Sequence, residues 1–179
     1  MNGAVGWPVV RQARTTDVEQ IHAMVCELAA YEREPDAVTA SVEDFRRALF
    51  GPDPRVYCLV AEVAGTASPG PAVREVGGMA LWFETFSTWQ GRHGIWLEDV
   101  YVRPEHRAIG LGRLLLRQLA VICAERGYPR LEWNVLDWNE PALGFYRRIG
   151  AQALDDWTVH RLSGDALSRL AASGPAVPG

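Results

Sequence analysis

The feature that most constrains the fold is the stretch of residues 97–113, in which a strand pattern, a proline and two glycines precede a helix pattern. Residues 95–102 are apolar and β-branched, which predicts a buried strand. Pro104 ends that strand because proline lacks the N–H group that a strand ladder requires. Apolar residues at helical spacing then continue to Gly127, a typical helix stop. The stretch therefore predicts a strand, a turn and a helix in direct succession.

The predicted turn places Gly110 and Gly112 at the start of the helix. Glycines there leave backbone N–H groups bare, and the helix dipole adds partial positive charge. A Walker loop is excluded because Arg113 and Leu114 follow the last glycine, and a dinucleotide fingerprint is excluded because Leu115 replaces its third glycine. A tight turn without a ligand remains the alternative. The pattern favours a pyrophosphate site formed by Arg107, Ala108, Ile109, Gly110, Leu111 and Gly112.

Composition indicates one globular domain, since the chain has 179 residues, of which 48% are hydrophobic and 22% are charged. A net charge of −4 argues against nucleic acid or an anionic membrane as a partner. We see no apolar run of membrane-spanning length and no signal-peptide pattern, so we expect a cytoplasmic protein. The three cysteines have no metal-ligand spacing, and no metal is expected. We expect an extended or disordered terminus over 1–8, one domain over 9–171 and a flexible tail over 172–179.

Hydrophobic periodicity predicts an α/β fold with a mixed central sheet and helices on both faces. A helix crossover joins strand 95–102 to strand 131–135, so these two should be parallel, and parallel neighbours can splay apart. Residues 84–94 are interpreted as a loop before the central strand. Predicted strands cover 9–13, 56–63, 76–83, 95–102, 131–135 and 157–162, and predicted helices begin near 16, 41, 111, 139 and 165.

Two patterns together resemble the GNAT acetyltransferases: Arg-x-x-Gly-x-Gly over 107–112, and Asn-x-x-Ala-x-x-Phe-Tyr-x-x-x-Gly-Ala over 139–151. In that family the pantetheine arm of coenzyme A lies along the central strand like an added strand, and its pyrophosphate lies on the loop. Ala108 replaces a common glycine, which matters only if the backbone there needs a positive φ. The resemblance implies that acetyl-CoA is bound by Val100, Tyr101 and Val102, by residues 107–113, and by Asn139, Glu140, Pro141 and Ala142.

The same resemblance makes Tyr146 the general acid that protonates the departing thiolate. A tyrosine of pKa about 10 can protonate a thiolate whose acid has a pKa of about 8.5 with little loss. Glu98 and Asp99 are consecutive in a strand, so we expect their side chains on opposite faces. Salt-bridged acids at an exposed sheet end are one interpretation. In the other, Glu98 is a base acting through water and Asp99 orients the substrate.

Residues 28–32, 87–89, 97–102 and 135–140 further resemble the spermidine/spermine acetyltransferase branch. Polyamine enzymes carry an acid where this chain has Ser87, whereas thialysine N-ε-acetyltransferase members share its Ser-Thr-Trp. The resemblance therefore implies a homodimer that exchanges C-terminal elements and acetylates a small lysine-like amine, with polyamines or other small amines as the alternative. A non-catalytic acyl-CoA sensor is the rival from another class. Expected substrate contacts are Tyr31, Glu32, Ser87, Trp89, Arg92, Asp99, Glu132, Trp133 and Asn134, with Arg92 available for a substrate carboxylate.

Overall fold

The structure, a computed structural model, describes residues 7–64 and 74–174. Residues 65–72, rich in glycine and proline, have the composition of a loop and lie outside the described residues. Two compact units make up the chain, residues 1–134 and 135–179. The first unit contains β1 (Val9–Gln12), α1 (Val18–Tyr31), α2 (Val42–Phe50), β2 (Tyr57–Ala64), β3 (Arg74–Ser87), β4 (Arg92–Val102), α3 (Leu111–Arg126) and β5 (Leu131–Glu132), and the second contains α4 (Glu140–Arg148) and α5 (Gly164–Ala172).

The first unit is built on a five-stranded sheet in the order β1-β2-β3-β4-β5. The first four strands are antiparallel to their neighbours, and β5 is parallel to β4. Only two residue pairs join β4 to β5, Ile95 with Leu131 and Trp96 with Glu132. The expected mixed sheet with two splayed parallel strands is confirmed. The predicted strand over 131–135 is too long, because the chain leaves β4 after Glu132.

Helices cover both faces of this sheet. On one face, Ile21 and Met24 of α1 pack in a core with Val60, Leu81 and Tyr101. On the other face, the guanidinium of Arg126 at the end of α3 lies 5.6 Å from the centre of the Trp82 ring. The apolar spacing of both helices therefore buries one side of each against the sheet, as expected for amphipathic helices.

The hairpin between β3 and β4 is longer than the sequence indicated. Residues 84–87 and 92–94, interpreted above as loop, continue the two strands, and Ser87 pairs with Arg92. A ladder forms because Phe86 and His93 stand opposite each other, with ring centres 5.3 Å apart, and aromatic cross-strand pairs stabilise hairpins. The turn closes with the N–H of Gly91 donating to the carbonyl of Ser87 at 2.8 Å.

The second unit contains α4 and α5. Asn139 caps α4, since its Oδ1 accepts the N–H of Ala142 at 3.4 Å. The predicted strand over 157–162 is wrong, because the five-stranded sheet does not include this segment and a strand needs a neighbour for its backbone hydrogen bonds. Trp157, Val159 and Leu162 are exposed. Within the described residues, no helix combines the length and apolar character needed to cross a bilayer.

Candidate active site

β4 carries a bulge at Glu98. Leu97 pairs with Trp82 and Asp99 pairs with Leu81, so adjacent residues of β3 face residues two apart in β4. Glu98 is the extra residue, and bulges of this kind redirect side chains next to active sites. The bulge interrupts the strict alternation on which we based opposite faces for residues 98 and 99. Asp99 shares the face of Leu81, which belongs to the core beneath α1.

Three carboxylates lie on this part of the first unit. Glu98 is exposed and accepts a hydrogen bond from Nε1–H of Trp96 at 2.9 Å. Asp99 is half-buried, and burial together with the negative charges of Glu98 and Glu32 raises its pKa to about 6. Burial also raises the pKa of Glu32, the C-cap residue that follows α1. A group of acids held partly out of water attracts a cation, since an ammonium ion relieves their mutual repulsion.

Residues 107–113, which the sequence predicts to form a pyrophosphate site, follow β4 and include the first turn of α3. Gly110 has φ of +91° and forms the N-cap of α3 without a side-chain oxygen. Its left-handed backbone explains why glycine occupies this position. Gly112 is helical, and a Cβ added there would meet nothing closer than 3.9 Å, at Cγ2 of Val102. The packing around Gly112 does not require glycine, and the bare backbone there would allow a ligand to approach the first amides of the helix.

The structure shows that the backbone at Ala108 has a positive φ, which the sequence left open. Its φ is +66°, in the left-handed region that glycine adopts readily and alanine does not. The loop therefore keeps the backbone shape associated with glycine and carries strain at this residue. The N–H of Ala108 is retained, so substitution of the usual glycine removes no donor.

Among the described residues, the edge of β4 after Trp96 has no partner strand on the β5 side. Beyond Trp96 no pairing joins β4 to β5, so the edge that includes Val100 and Val102 is not part of a strand ladder on that side. Tyr101 is buried between them in the α1-side core. A pantetheine arm, which carries two amide groups, fits an unpaired strand edge in the manner of an added strand. The residues present therefore fit acetyl-CoA.

Arg107 makes contacts that sequence reasoning missed. Its guanidinium carbon lies 5.3 Å from the centre of the Tyr31 ring and 5.7 Å from that of Tyr101, and its Nε–H donates to the carbonyl of Val102 at 3.0 Å. The loop pattern marked Arg107 only as a phosphate contact. Tyr31 is distant in sequence, so no local signal could have indicated this stacking.

The hairpin tip lies away from the acids. Trp89 is 89% exposed in the turn, Arg92 is exposed, and Ser87 is buried at the end of β3. Glu98 lies six positions after Arg92 along β4, which corresponds to about 20 Å at the usual rise of a strand. The structure therefore does not bring Arg92 to the carboxylates within one chain.

Three expected substrate residues lie at or after β5. Glu132 forms an ion pair with Arg130, with 2.9 Å between Nε and Oε2, and pairs with Trp96 in the sheet. Trp133 is half-buried and Asn134 is exposed in the coil that follows. This places them beside the first half of β4, before the bulge.

In the second unit, Tyr146 lies in the last half of α4. Its ring centre is 5.4 Å from that of Phe145, and burial raises the pKa of its hydroxyl. Glu140 and Pro141 occupy the first turn of α4 after the Asn139 cap. The second unit therefore contains a short helix that begins after the Asn139 cap and carries Tyr146 in its last half.

Comparisons with known proteins identify the family of the chain. Residues 19–151 match the Acetyltransferase (GNAT) family. The chain is 38% identical over 167 residues to the thialysine N-epsilon-acetyltransferase of Bos taurus, covering 91% of this chain and 96% of that protein. It is 27% identical over 197 residues to an L-ornithine N5-acetyltransferase of Arabidopsis thaliana, covering 90% and 86%. An integron cassette protein of V. cholerae shares the fold, with a TM-score of 0.72, 23% identity and coverage of 92% and 97%.

The chain therefore belongs to the GNAT acetyltransferase family. It is an N-acetyltransferase that uses acetyl-CoA as the acetyl donor, and its mixed sheet with parallel β4 and β5 has the architecture of its structural relatives.

Proposed function

We propose that this enzyme acetylates the side-chain amine of a small lysine-like amino acid, with thialysine as the best acceptor, by direct attack within a ternary complex. The observation that carries the proposal is the group of carboxylates from Glu32, Glu98 and Asp99 around the β4 bulge. Similarity to enzymes named for thialysine and ornithine acetylation supports an amino-acid acceptor. Polyamines and other small amines are the alternative.

The carboxylates bear on the main energetic cost of the reaction, which is deprotonation of the acceptor amine. An amine of pKa near 10.4 costs about 4–5 kcal/mol to deprotonate at neutral pH. We assign Glu98 as the base that takes this proton through water, and Asp99 and Glu32 as the acids that hold the ammonium. The neutral nitrogen attacks the thioester carbonyl, the carbon–sulfur bond breaks, and Tyr146 donates its proton to the departing thiolate. The second proton of the attacking nitrogen is lost as the amide forms, and it restores Tyr146 through water. The N–H of Val100 is proposed to stabilise the oxyanion.

Acetyl-CoA is proposed to bind residues 100–102 along its arm and the backbone N–H groups of residues 107–113 at its pyrophosphate. Asn139, Glu140, Pro141 and Ala142 are proposed to line the cofactor as well. Support comes from the open edge of β4 and from the space that Gly112 leaves at the start of α3. These are properties of the backbone, so many side-chain substitutions in the loop should leave binding intact.

Acceptor choice is proposed to depend on the hairpin. Ser87 removes the acid that polyamine enzymes carry here, and each unpaired carboxylate in a site would cost its desolvation. Arg92 supplies a cation for a substrate carboxylate, and Tyr31, Trp89, Glu132, Trp133 and Asn134 are proposed to contact the rest of the acceptor. Because Arg92 lies about 20 Å from Glu98 in one chain, we assign its contact to the site of a second copy.

The deciding experiment compares kcat/KM for thialysine, lysine, ornithine, spermidine and spermine at one pH, following release of free thiol from acetyl-CoA. Thialysine should be preferred, because its sulfur lowers the amine pKa and leaves more of it neutral. Ser87→Asp should shift the preference toward spermidine, whereas Ser87→Ala should not. A tenfold preference of the wild type for spermine would contradict the proposed acceptor and leave the family unchanged.

We propose a homodimer formed through the second unit. Leu154, Trp157, Val159 and Leu162 expose large apolar side chains in a segment whose sequence pattern is that of a strand. Light scattering on the intact protein should give twice the mass of one chain, and Trp157→Ser with Val159→Ser should give the mass of one. Persistence of the dimer in that double variant would place the interface elsewhere.

We also propose a cytoplasmic location, because Cys26, Cys58 and Cys123 are all free thiols in the structure, as is usual in a reducing compartment. Fractionation of the native host with an antibody to the protein tests this. Recovery from an oxidising compartment would contradict it.

A further inference from the structure

The side chain of Arg107 starts in the cofactor loop and ends against the acceptor side of the fold. Its guanidinium stacks within cation–π distance of both Tyr31 and Tyr101, and its Nε–H is held by the carbonyl of Val102. Tyr31 is the last residue of α1, whereas Tyr101 and Val102 belong to β4. A single cation therefore joins the loop, the central strand and the end of α1.

A second arginine strengthens the same connection. Nε of Arg103, which follows β4, lies 3.3 Å from a carboxylate oxygen of Glu27 on α1, and its N–H donates to the carbonyl of Gly77 at 3.0 Å. Burial raises the pKa of the Tyr101 hydroxyl, the negative charge of Glu27 raises it further, and the positive charge of Arg107 lowers it. The C-terminal half of α1 is thus fixed to β4 and its loop by charge as well as by apolar packing.

The end of α1 carries acceptor residues. Glu32 follows Tyr31 directly, and its backbone N–H donates to the carbonyl of Leu28 at 2.9 Å. The negative charge of Glu32 contributes to the raised pKa of Asp99. Any displacement of Tyr31 therefore moves Glu32 relative to Asp99. The placement of two acceptor-side acids depends on a residue that belongs to the cofactor loop.

We propose that Arg107 is a positioning residue for the amine site: by stacking on Tyr31 it fixes the end of α1, and it thereby sets the affinity for the amine rather than for acetyl-CoA. This inference rests on the proposed function. The phosphate role of the loop is served by the backbone amides at the start of α3 and by Arg113, which is exposed at the third position of that helix. The two loop arginines therefore have separate tasks.

The test measures KM for thialysine and for acetyl-CoA in Arg107→Met, Arg107→Lys and Arg113→Ala. Arg107→Met keeps the stem and removes the charge, so KM for the amine should rise about 10-fold from loss of the two ring contacts. KM for acetyl-CoA should change by less than about twofold. Arg107→Lys should recover most of the amine affinity because an ammonium also binds aromatic faces. Arg113→Ala should show the reverse pattern, and Arg55→Ala, in an exposed ion pair on another loop, should change neither constant.

A double-variant cycle separates positioning from general damage. Tyr31→Leu should raise the KM for the amine, and Tyr31→Leu with Arg107→Met should be no worse than the poorer single variant, because both remove the same contact. Additive effects, or a rise in the KM for acetyl-CoA instead, would overturn the proposal for Arg107. A wild-type enzyme that releases no thiol with any amine would contradict the proposed function itself, which is a different result from an active enzyme with the wrong pattern in its variants.

Discussion

Asp99 stands directly opposite Leu81 in the ladder between β3 and β4, so a carboxylate occupies a position whose neighbour is 4% exposed. A regular strand would not produce this arrangement, because the bulge at Glu98 shifts the pairing by one residue. The acid is held near apolar side chains and other acids, and its ionisation opposes folding until a cation arrives.

The first prediction concerns the stability of Asp99→Asn. The folded pKa of Asp99 is raised to about 6, so the wild type loses stability as the pH rises through that value. The variant should match the wild type near pH 4 and exceed it by about 1–3 kcal/mol at pH 7. Urea unfolding at several pH values measures the difference in unfolding free energy between the variant and the wild type. A difference that does not vary with pH would refute the effect of burial on Asp99.

Asp44→Asn provides a contrast of opposite sign. Hydrogen bonds from Ser41 at the start of α2 hold the pKa of Asp44 below its usual value. Its stabilising contribution is present at neutral pH and disappears as the pH falls through the lowered pKa. Asp44→Asn should therefore be less stable than the wild type at pH 7, and the two should converge in acid.

The second prediction tests Tyr146. Tyr146→Phe keeps the ring and removes the proton, so kcat should fall roughly 10²–10⁴-fold while KM for acetyl-CoA is retained. Tyr128→Phe is a matched control, because it removes a hydroxyl whose partner is Glu84 at 2.8 Å. Its kcat should stay near that of the wild type. A kcat within a few-fold of the wild type for Tyr146→Phe would assign the proton to water or to another residue.

The third prediction uses the glycines at the two ends of α3. Gly112→Ala has room for its Cβ, so the midpoint of thermal unfolding should stay close to the wild-type value while KM for acetyl-CoA rises about tenfold or more. Gly127→Ala should do the opposite, because φ of +66° at Gly127 costs alanine about 1 kcal/mol of stability. Thermal unfolding and steady-state kinetics on both variants decide the matter. Unchanged cofactor affinity in folded Gly112→Ala would remove the phosphate site from this helix.

The fourth prediction follows from the left-handed backbone of Ala108. Ala108→Gly relieves the strain and should raise the free energy of unfolding by roughly 0.5–1 kcal/mol, whereas Ala108→Val should lower it by more than that. Acetyl-CoA binding should survive in Ala108→Gly because the N–H remains. Chemical denaturation ranks the three proteins, and a glycine variant less stable than the wild type would show that φ is relaxed in solution.

Local signals predicted much of the first unit. Pro104 and Gly127 marked the ends of β4 and α3 because each acts through its own backbone, and Asn139 marked the start of α4 through its side chain. The GNAT assignment came from the same local patterns. The sequence raised the question of whether Ala108 has a positive φ, and the structure gives the value.

What the sequence did not reveal depends on distant partners. The bulge at Glu98 exists only relative to β3, and the stacking of Arg107 on Tyr31 joins residues far apart in the chain. Residues 84–94 were interpreted as a loop because their polar side chains do not show an alternating strand pattern, and the cross-strand pairs that form the hairpin cannot be seen in the sequence. Residues 157–162 have a strand pattern and no place in the five-stranded sheet, since periodicity indicates what could pair and not what does.

The short pairing between β4 and β5 has a consequence for handling the protein. A strand edge that is available to a cofactor is equally available to another polypeptide, because both bind through the same backbone groups. We therefore expect acetyl-CoA, bound along this edge as proposed above, to reduce self-association of the protein as well as to serve as its reagent. Preparations stripped of cofactor should precipitate sooner on concentration than those that retain it, so the cofactor belongs in the storage buffer.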